Sequence, residues 1–290
     1  MHWQTSRFLI DLRTPKVMGI VNVTPDSFSD GGQYASQDAA LAHCDRLLKD
    51  GADMLDIGGE STRPGALELP VEDELARVLP IIRHAVTLGV PVSVDTYKPA
   101  VMQAALDLGA DIINDIWALR WRADGDSPTG QQVVSTHPNC GVCLMHMHRN
   151  PQTMQIAPME GDVVPQVLLF LKQLTQELRG LGVDSARICI DPGIGFGKTV
   201  QQNFALLAKQ SSLLSLGYPV LAGWSRKSSL AAVTLRSLSN VATMDARDRL
   251  VPSVTAALLA VQNGARVVRV HDVKETVQAL KVFETMQQCG

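Results

Sequence analysis

The sequence predicts an α/β protein built as a single (β/α)8 TIM barrel, with its active site at the C-terminal ends of the strands. Eight short apolar runs alternate with helical patterns along the chain, and this alternation is typical of βαβ units around a parallel sheet. The length of 290 residues fits one barrel, since such barrels typically run to about 250 residues. No linker or compositional break divides the chain, so we expect residues 1–290 to form one domain.

The eight runs are continuous in apolar character, as expected for parallel strands that are covered on both faces. They lie at 17–21, 54–57, 91–94, 111–113, 141–145, 187–190, 219–222 and 265–270. Eight such units favour a closed barrel over an open doubly wound sheet.

Helical patterns separate these runs. We expect helices over 38–50 and 99–108, because each pattern is followed by a glycine of the kind that commonly ends a helix. Residues 72–88 also predict a helix, which Pro80 should kink or restart. Residues 121–139 are rich in Gly, Pro, Ser and Thr, and we expect them to form a loop or an irregular helix.

Composition excludes several classes of protein. The formal charge of −3 argues against a nucleic-acid binder, which usually carries a basic excess. No apolar run is long enough to span a membrane, and no secretory signal is visible. The five cysteines are odd in number and scattered, so we expect no disulfide framework and a cytoplasmic location. We interpret the C-x-x-C formed by Cys140 and Cys143 as packing residues rather than a redox or zinc pair.

Every predicted strand is followed by a hydrogen-bonding or charged side chain. These residues are Asn22, 60–63, Asp95, Thr96, Asn114, Asp115, His146, Asp191, 225–227, Arg269, His271 and Asp272. A barrel gathers the C-terminal ends of its strands on the face that hosts the active site. We therefore expect these side chains to form one polar site.

His146 and His148 lie two residues apart and could suggest metal ligands. Without a third metal ligand nearby, they are interpreted as hydrogen-bonded structural residues.

Basic residues among this set indicate an anion site. Arg63 can bind a phosphate through two parallel hydrogen bonds, and we expect Arg269 and His271 to converge with it on one anionic group. Ser228 would begin a helix whose free backbone N–H groups attract a carboxylate or a phosphate.

The remaining residues indicate a planar ligand. Asp95 and Asp191 supply two acceptors, Asn114 an amide and Lys227 a donor. A carboxylate accepts two parallel N–H bonds, so this set suits a neutral heterocycle with amidine-like N–H groups. The residues thus predict a site for a planar heterocycle joined to an oxyanion.

One segment partly matches the sequence motif of a nucleotide-binding loop. Residues 193–199 end in Gly-Lys-Thr, as a P-loop does, but Pro192 occupies the position of the first glycine of that motif. The dinucleotide pattern G-x-G-x-x-G also fails, because Lys198 replaces its last glycine. We therefore predict no nucleotide site.

Two long segments resemble the signatures of the dihydropteroate synthases. They are MGIVNVTPDSFSDGG at 18–32 and DIGGESTRPG at 56–65. Shorter motifs follow in the order typical of that family: VDT at 94–96, IND at 113–115, CLMHM at 143–147, DPGIGFGK at 191–198, SRKS at 225–228 and RVHDV at 269–273. The resemblance covers nearly the whole chain. It departs at 116–121, which is bulkier than usual, and at Trp224, where a methionine is frequent.

The resemblance implies an enzyme of folate synthesis. Such an enzyme condenses 6-hydroxymethyl-7,8-dihydropterin diphosphate with 4-aminobenzoate, and it releases 7,8-dihydropteroate and diphosphate with the help of Mg²⁺. We expect a dissociative substitution and, as in the family, a cytoplasmic homodimer. Sulfonamide binding would depend on the shape around Phe28, Pro64 and Ser228. The alternatives are a non-catalytic pterin-binding homologue or partner subunit, and a pterin-dependent methyltransferase barrel.

The resemblance also implies roles for individual residues, which fall into groups by the part of the substrates they bind. Mg²⁺ would be ligated by Asn22, and the diphosphate would be held by Thr62, Arg63, Arg269 and His271. The pterin would be bound by Asp95, Asn114, Asp191 and Lys227, with Met145 on its ring. The aminobenzoate would be framed by Phe28, Pro64, Phe196 and Lys227, with its carboxylate at Ser228. The implied catalytic residues are Asp95, Lys227, Arg63, Arg269 and His271.

Overall fold

A computed structural model describes residues 1–23, 32–61, 66–123, 125, 127–235 and 244–289. Strands and helices alternate along these residues. In chain order they are β1 (His2–Gln4), β2 (Leu9–Asp11), β3 (Lys16–Asn22), α1 (Gly32–Lys49), β4 (Met54–Gly58), α2 (Val71–Ala85), β5 (Val92–Asp95), α3 (Pro99–Asp107), β6 (Ile112–Asp115), α4 (Gly130–Thr136), β7 (Gly141–Met145), α5 (Val163–Gly180), β8 (Ile188–Asp191), α6 (Val200–Ala208), β9 (Leu221–Ala222), α7 (Ser228–Leu235), α8 (Leu250–Gln262), β10 (Val267–Val270) and α9 (Val273–Cys289).

Eight parallel strands form a closed barrel. Their order in the sheet is β8-β7-β6-β5-β4-β3-β10-β9, so most neighbours in the chain are also neighbours in space. A parallel bridge between Ile190 and Val220 joins the two ends of this order, and the Ile190 N–H donates to the Pro219 carbonyl at 3.0 Å. The predicted (β/α)8 barrel is confirmed.

The two faces of each barrel strand carry different chemistry. Outward residues such as Val17, Ile57 and Val94 pack in a buried cluster with residues of the surrounding helices. Inward residues at the N-terminal half of the barrel are apolar and pack together: Met18, Met54, Ile112, Cys143, Cys189, Leu221 and Val267. Because side chains alternate along a strand, the next inward positions lie two residues further on. On four of these strands the chain places a polar or charged residue there, namely Asp56, Asn114, Asp191 and Arg269, and these belong to the floor of the site described below.

An N-terminal hairpin closes the opposite end of the barrel. β1 pairs antiparallel with β2, and Trp3, fully buried, packs in the same cluster as Met18 and Met54. Its indole Nε1 donates to the Arg187 carbonyl at 2.9 Å. This hairpin could not be predicted from the sequence, because strands of three residues are too short to show an alternating pattern.

The helices differ from expectation in three places. α1 begins at residue 32 rather than 38. α2 continues through Pro80, so of the two expected outcomes the restart is wrong, and the kink stays a prediction; the buried face of the helix runs on through Ile81 and Ile82, and that packing outweighs the lost backbone hydrogen bond. The segment 121–139 contains a regular helix, α4, which begins with a capping box formed by Thr129 and Gln132.

The five cysteines are free thiols, and Cys140 and Cys143 are buried. The interpretation of the C-x-x-C as packing residues is therefore supported by their burial. Among the described residues, no helix combines the length and apolar character needed to cross a membrane.

Candidate active site

The ends of five barrel strands bring the floor of the site together. Register places Asp95 of β5 between Gly58 of β4 and Asn114 of β6. Asp56 is fully buried on β4, and Asn114 and Asp191 are nearly so. Asp95, Asn114, Asp191 and Arg269, all predicted as site residues, belong to this floor.

Arg269 links two carboxylates across this floor. Its Nε donates to Asp56 Oδ2 at 2.5 Å, and its Nη2 donates to Asp95 Oδ2 at 2.7 Å. Asn114 Nδ2 also donates to the carboxylate of Asp56, at 3.3 and 3.4 Å. The contact between Arg269 and Asp95 was not predicted from the sequence, and the predicted role of Arg269 at an anion stays a prediction.

Burial shifts the protonation equilibria of the floor. It raises the pKa of Asp95 to about 7, because the opposing attraction of Arg269 is smaller and the charge of Asp56 adds to the rise. Burial also raises the pKa of Asp191. It lowers the pKa of Lys227 to about 8, with a further decrease from the nearby charge of Arg269. Acids that hold protons more strongly and a lysine that loses its proton more readily are common at functional sites.

Lys227 forms one wall of the site. Its Nζ lies 4.4 Å from the centre of the Phe196 ring, a cation–π distance. The preceding Arg226 has a left-handed φ of 59° and donates from Nη2 to Asp272 Oδ1 at 2.5 Å, which fixes the turn before α7. Ser228 is the first residue of α7 and is exposed, so the predicted helix start is confirmed.

Apolar side chains cover the side of the site next to Phe196. Met145 and Phe196 belong to one buried cluster, and Trp117 and Trp121 pack against it. The ring of Tyr97 lies 5.4 Å from that of Trp121, centre to centre. The bulky segment that departs from the family pattern therefore adds aromatic rings beside the site.

Lys198 holds the connection that follows β8. Its buried Nζ donates to the carbonyls of Gly193 at 2.7 Å and Phe196 at 3.1 Å. The same atom lies 2.9 Å from His146 Nδ1, and burial lowers the pKa of Lys198 to about 7. His146 is thus a hydrogen-bonded structural residue, as interpreted. Among the described residues, no group of three or more His, Cys, Asp or Glu side chains has the arrangement of a metal site.

Gly193→Ala is expected to destabilise the protein and to disturb Asp191. Gly193 has φ +68°, and an added Cβ would lie 1.8 Å from the His146 carbonyl oxygen; its N–H donates to Asp191 Oδ1 at 2.6 Å. We expect the free energy of unfolding to fall by about 3 kcal/mol from backbone strain and overpacking. Gly89→Ala is the control, since its φ is +74° with nothing within 4 Å of the added carbon. Equal losses for both variants in urea unfolding would contradict this reasoning.

Two further predicted residues lie at strand ends on the same face. Asn22 is the last residue of β3, in register with Gly58. His271 follows β10 directly, and its Nδ1 lies 3.0 Å from Ser225 Oγ. Phe28, Thr62, Arg63 and Pro64 lie outside the described residues.

Sequence reasoning missed Asp56 and Lys198 as parts of the site. Asp56 interrupts the apolar run 54–57, and a charge in a buried strand costs free energy unless it is paired, so its position was a usable signal. Lys198 was considered only in the two failed nucleotide-binding patterns and as the last residue of the DPGIGFGK motif, without a role in the site. Its bonds to backbone carbonyls have no signature in the sequence.

Comparisons with known proteins give a consistent result. The family profile described as pterin binding enzyme matches residues 18–271. The dihydropteroate synthase of Neisseria meningitidis serogroup B is 47% identical over 290 residues, covering 98% of this chain and 97% of the relative. Two solved structures are also similar. Xanthomonas albilineans dihydropteroate synthase with 4-aminobenzoic acid has a TM-score of 0.86 and 48% identity, covering 96% of this chain and 95% of the other. The Yersinia pestis dihydropteroate synthase in a sulfonamide drug complex has a TM-score of 0.89 and 39% identity, covering 99% of this chain and 100% of the other.

A closed (β/α)8 barrel with charged side chains gathered at the C-terminal ends of its strands defines a barrel enzyme. Together with the comparisons, this shows that the chain belongs to the pterin-binding enzymes and, within them, to the dihydropteroate synthase family, transferases of folate synthesis.

Proposed function

We propose that this chain joins 6-hydroxymethyl-7,8-dihydropterin diphosphate to 4-aminobenzoate by a dissociative substitution, releasing diphosphate and 7,8-dihydropteroate. The observation that carries the proposal is the charged floor, in which Arg269 connects the buried carboxylates of Asp56 and Asp95. This arrangement supplies acceptors for a heterocycle and a cation for its leaving group in one place.

The pterin ring binds at the floor. Asp95 and Asp191 accept hydrogen bonds from its polar edge. The same edge bonds to the amide of Asn114, and Lys227 donates a hydrogen bond to it from the wall of the site. Met145, at the end of β7 and in register with Asp191, packs on the ring. The carboxylates support this role because each has two acceptor oxygens, so the bonds from Arg269 to Asp95 and from the Gly193 N–H to Asp191 leave acceptor capacity for the ligand.

The diphosphate lies above Arg269. In the described part of the chain, hydrogen bonds use Nε and Nη2 of this arginine, which leaves Nη1 for the leaving group. His271 and, from residues outside the described set, Thr62 and Arg63 complete the diphosphate site. Arginine suits this role because its planar donors match phosphate oxygens.

The aminobenzoate binds between Phe196 and Lys227, with Phe28 and Pro64 as further contacts. Its carboxylate lies at Ser228, where the first N–H groups of α7 attract an anion.

Charge placement explains the reaction. Breaking the bond between the methylene carbon and the diphosphate oxygen leaves positive charge on the methylene, which the pterin ring delocalises. Asp95 stabilises that charge, while Arg63, Arg269 and His271 stabilise the departing anion. Fixed charges placed where charge develops usually form the largest catalytic contribution. The neutral arylamine then attacks the cation and loses its proton afterwards.

A Mg²⁺ ion fits the donors that the chain offers. Asn22 presents an amide oxygen at the end of β3, and Mg²⁺ commonly binds through few protein ligands together with substrate phosphates and water. Bound there, Mg²⁺ would neutralise charge on the diphosphate.

The test is release of diphosphate when both substrates and Mg²⁺ are mixed with the protein. We expect release only when all three are present, with loss on chelation of the metal and recovery when Mg²⁺ is restored. Pterin binding without release would indicate a non-catalytic homologue. Methyl transfer to a corrinoid would indicate the methyltransferase alternative.

We also place the enzyme in the cytoplasm as a homodimer. Buried free thiols such as Cys44 and Cys189 are typical of a reducing compartment. The exposed apolar side chains of Val251 on α8 and of Val282 and Met286 on α9 support pairing through the barrel helices. Sedimentation of a monomer at micromolar concentration would contradict the dimer, and recovery with periplasmic proteins on fractionation would contradict the location.

A further inference from the structure

We propose that Asn203 is a positioning residue for the aminobenzoate, because it joins the two walls of that substrate's slot that the structure describes. One wall is the connection between β8 and α6, which carries Phe196, and the other is the turn before α7, which carries Lys227. The inference rests on the proposed function, since it concerns how that function's second substrate is placed. Asn203 is fully buried on α6 and contacts neither substrate in this proposal.

The side-chain amide of Asn203 bonds to both walls. Its Oδ1 accepts from the Gly195 N–H at 2.8 Å, one residue before Phe196. Its Nδ2 donates to Ser229 Oγ at 2.9 Å, two residues after Lys227. One planar group therefore spans from the connection to the first turn of α7.

The partners of this amide leave it one orientation. A backbone N–H only donates and a backbone carbonyl only accepts. Gly195 must therefore face the amide oxygen, and the Lys198 carbonyl, 3.3 Å from Nδ2, must face the amide nitrogen. The other N–H of that nitrogen is then directed to Ser229. Because the oxygen and the nitrogen are both bonded, the amide cannot turn without losing a contact to one wall.

The two walls also touch each other. An added Cβ at Gly195 would lie 3.2 Å from Lys227 Cδ, and Lys227 Nζ lies 4.4 Å from the centre of the Phe196 ring. A shift of either wall therefore changes the space between Phe196 and Lys227. Displacing a binding group by about 1 Å is enough to change the rate of an enzyme about 100-fold, so the spacing of these walls matters for the substrate between them.

Apolar contact joins the same two elements next to the amide. The ring of Phe204 on α6 lies 5.3 Å from that of Trp224 before α7, centre to centre. Apolar contact is non-directional, whereas a hydrogen bond holds distance and angle within narrow limits. What the amide of Asn203 adds to elements that already pack together is a fixed spacing.

The test is a comparison of both Michaelis constants in Ser229→Ala and Asn203→Leu. Ser229→Ala removes the hydroxyl that bonds Nδ2 and should raise the KM for 4-aminobenzoate by at least about threefold. Asn203→Leu removes the bonds to both walls and should raise it by about 10- to 100-fold. The KM for the pterin diphosphate should stay within about twofold of the wild type, because the barrel strands hold Asp95, Asn114 and Asp191 without contact to Asn203.

The control is Ser135→Ala, which removes a hydroxyl that bonds within α4 and should leave both constants unchanged. A double-mutant cycle then tests the link itself. In the Asn203→Leu background, Ser229→Ala should add less than about a twofold effect, because the bond it removes is already broken.

The inference is overturned if Ser229→Ala raises the KM for 4-aminobenzoate by less than about threefold, if either variant raises both constants by the same factor, or if the two effects multiply. If Asn203→Leu does not fold, Ser229→Ala decides alone through its two constants. A wild-type protein that releases no diphosphate would contradict the proposed function instead.

Discussion

Asp95→Asn is expected to lower kcat by about 10²- to 10³-fold while leaving the fold intact. The amide keeps the shape of the side chain but removes the negative charge that stabilises the cationic pterin, and losses of this size are typical when a preorganised electrostatic group is removed. Arg269 retains Asp56 as a partner, so unfolding should change little. Asp107→Asn, the same change at an exposed position on α3, is the control. A turnover of Asp95→Asn close to that of the wild type would refute the role of Asp95.

The same variant should change the pH profile. Burial raises the pKa of Asp95 to about 7, so acidification below that value protonates the carboxylate, and kcat/KM should fall. Burial lowers the pKa of Lys227 to about 8, so kcat/KM should also fall as the lysine loses its proton above that value. The result is a bell-shaped profile for the free enzyme. Asp95→Asn should lose the acidic limb and keep the alkaline one; an unchanged acidic limb would assign it to another group.

Arg269→Met should have the largest combined effect, on stability and on activity. The change leaves Asp56, fully buried, and Asp95 facing each other without their shared cation. Removing one partner of a buried ion pair costs about 3–5 kcal/mol, and we expect about 3 kcal/mol because one-fifth of the arginine side chain is exposed. Diphosphate release should fall by at least about 10²-fold, because a donor to the developing anion is lost.

A second substitution tests the cause of this destabilisation. Asp56→Asn in the Arg269→Met background removes one of the two unpaired carboxylates, so part of the lost unfolding free energy should return without recovery of turnover. Urea unfolding measures the first effect and the diphosphate assay the second. Arg266→Met, just before the same strand, is the control. A double variant that is less stable than Arg269→Met alone would show that charge repulsion is not the cause.

The sequence was sufficient to predict the barrel and the face that carries the site. Continuous apolar runs mark parallel strands that are covered on both sides, and Asn114 and Asp191 could be placed because each ends such a run. The same reasoning could not show how the side chains pair. The contact of Arg269 with Asp95 joins residues 174 positions apart, and whether an arginine faces a ligand or a carboxylate depends on the closure of the barrel.

Local signals were present for some of the features that were missed. Thr129 and Gln132 have the spacing of a capping box, which marks the start of α4 within a segment that composition alone made look irregular. The contacts of Asn203 with Gly195 and Ser229 had no such signal, because these residues lie on separate elements and an asparagine within a helical pattern resembles an ordinary surface residue.

The buried indole of Trp3 has a consequence for how the chain assembles. Its hydrogen bond reaches a carbonyl 184 residues further along, yet ribosomes release the N-terminus first. The hydrogen bond of the first strand to the barrel therefore cannot form until about two-thirds of the polypeptide has been synthesised, although β1 can pair with β2 much earlier. Docking of the hairpin against β8 is thus a late event in biosynthesis.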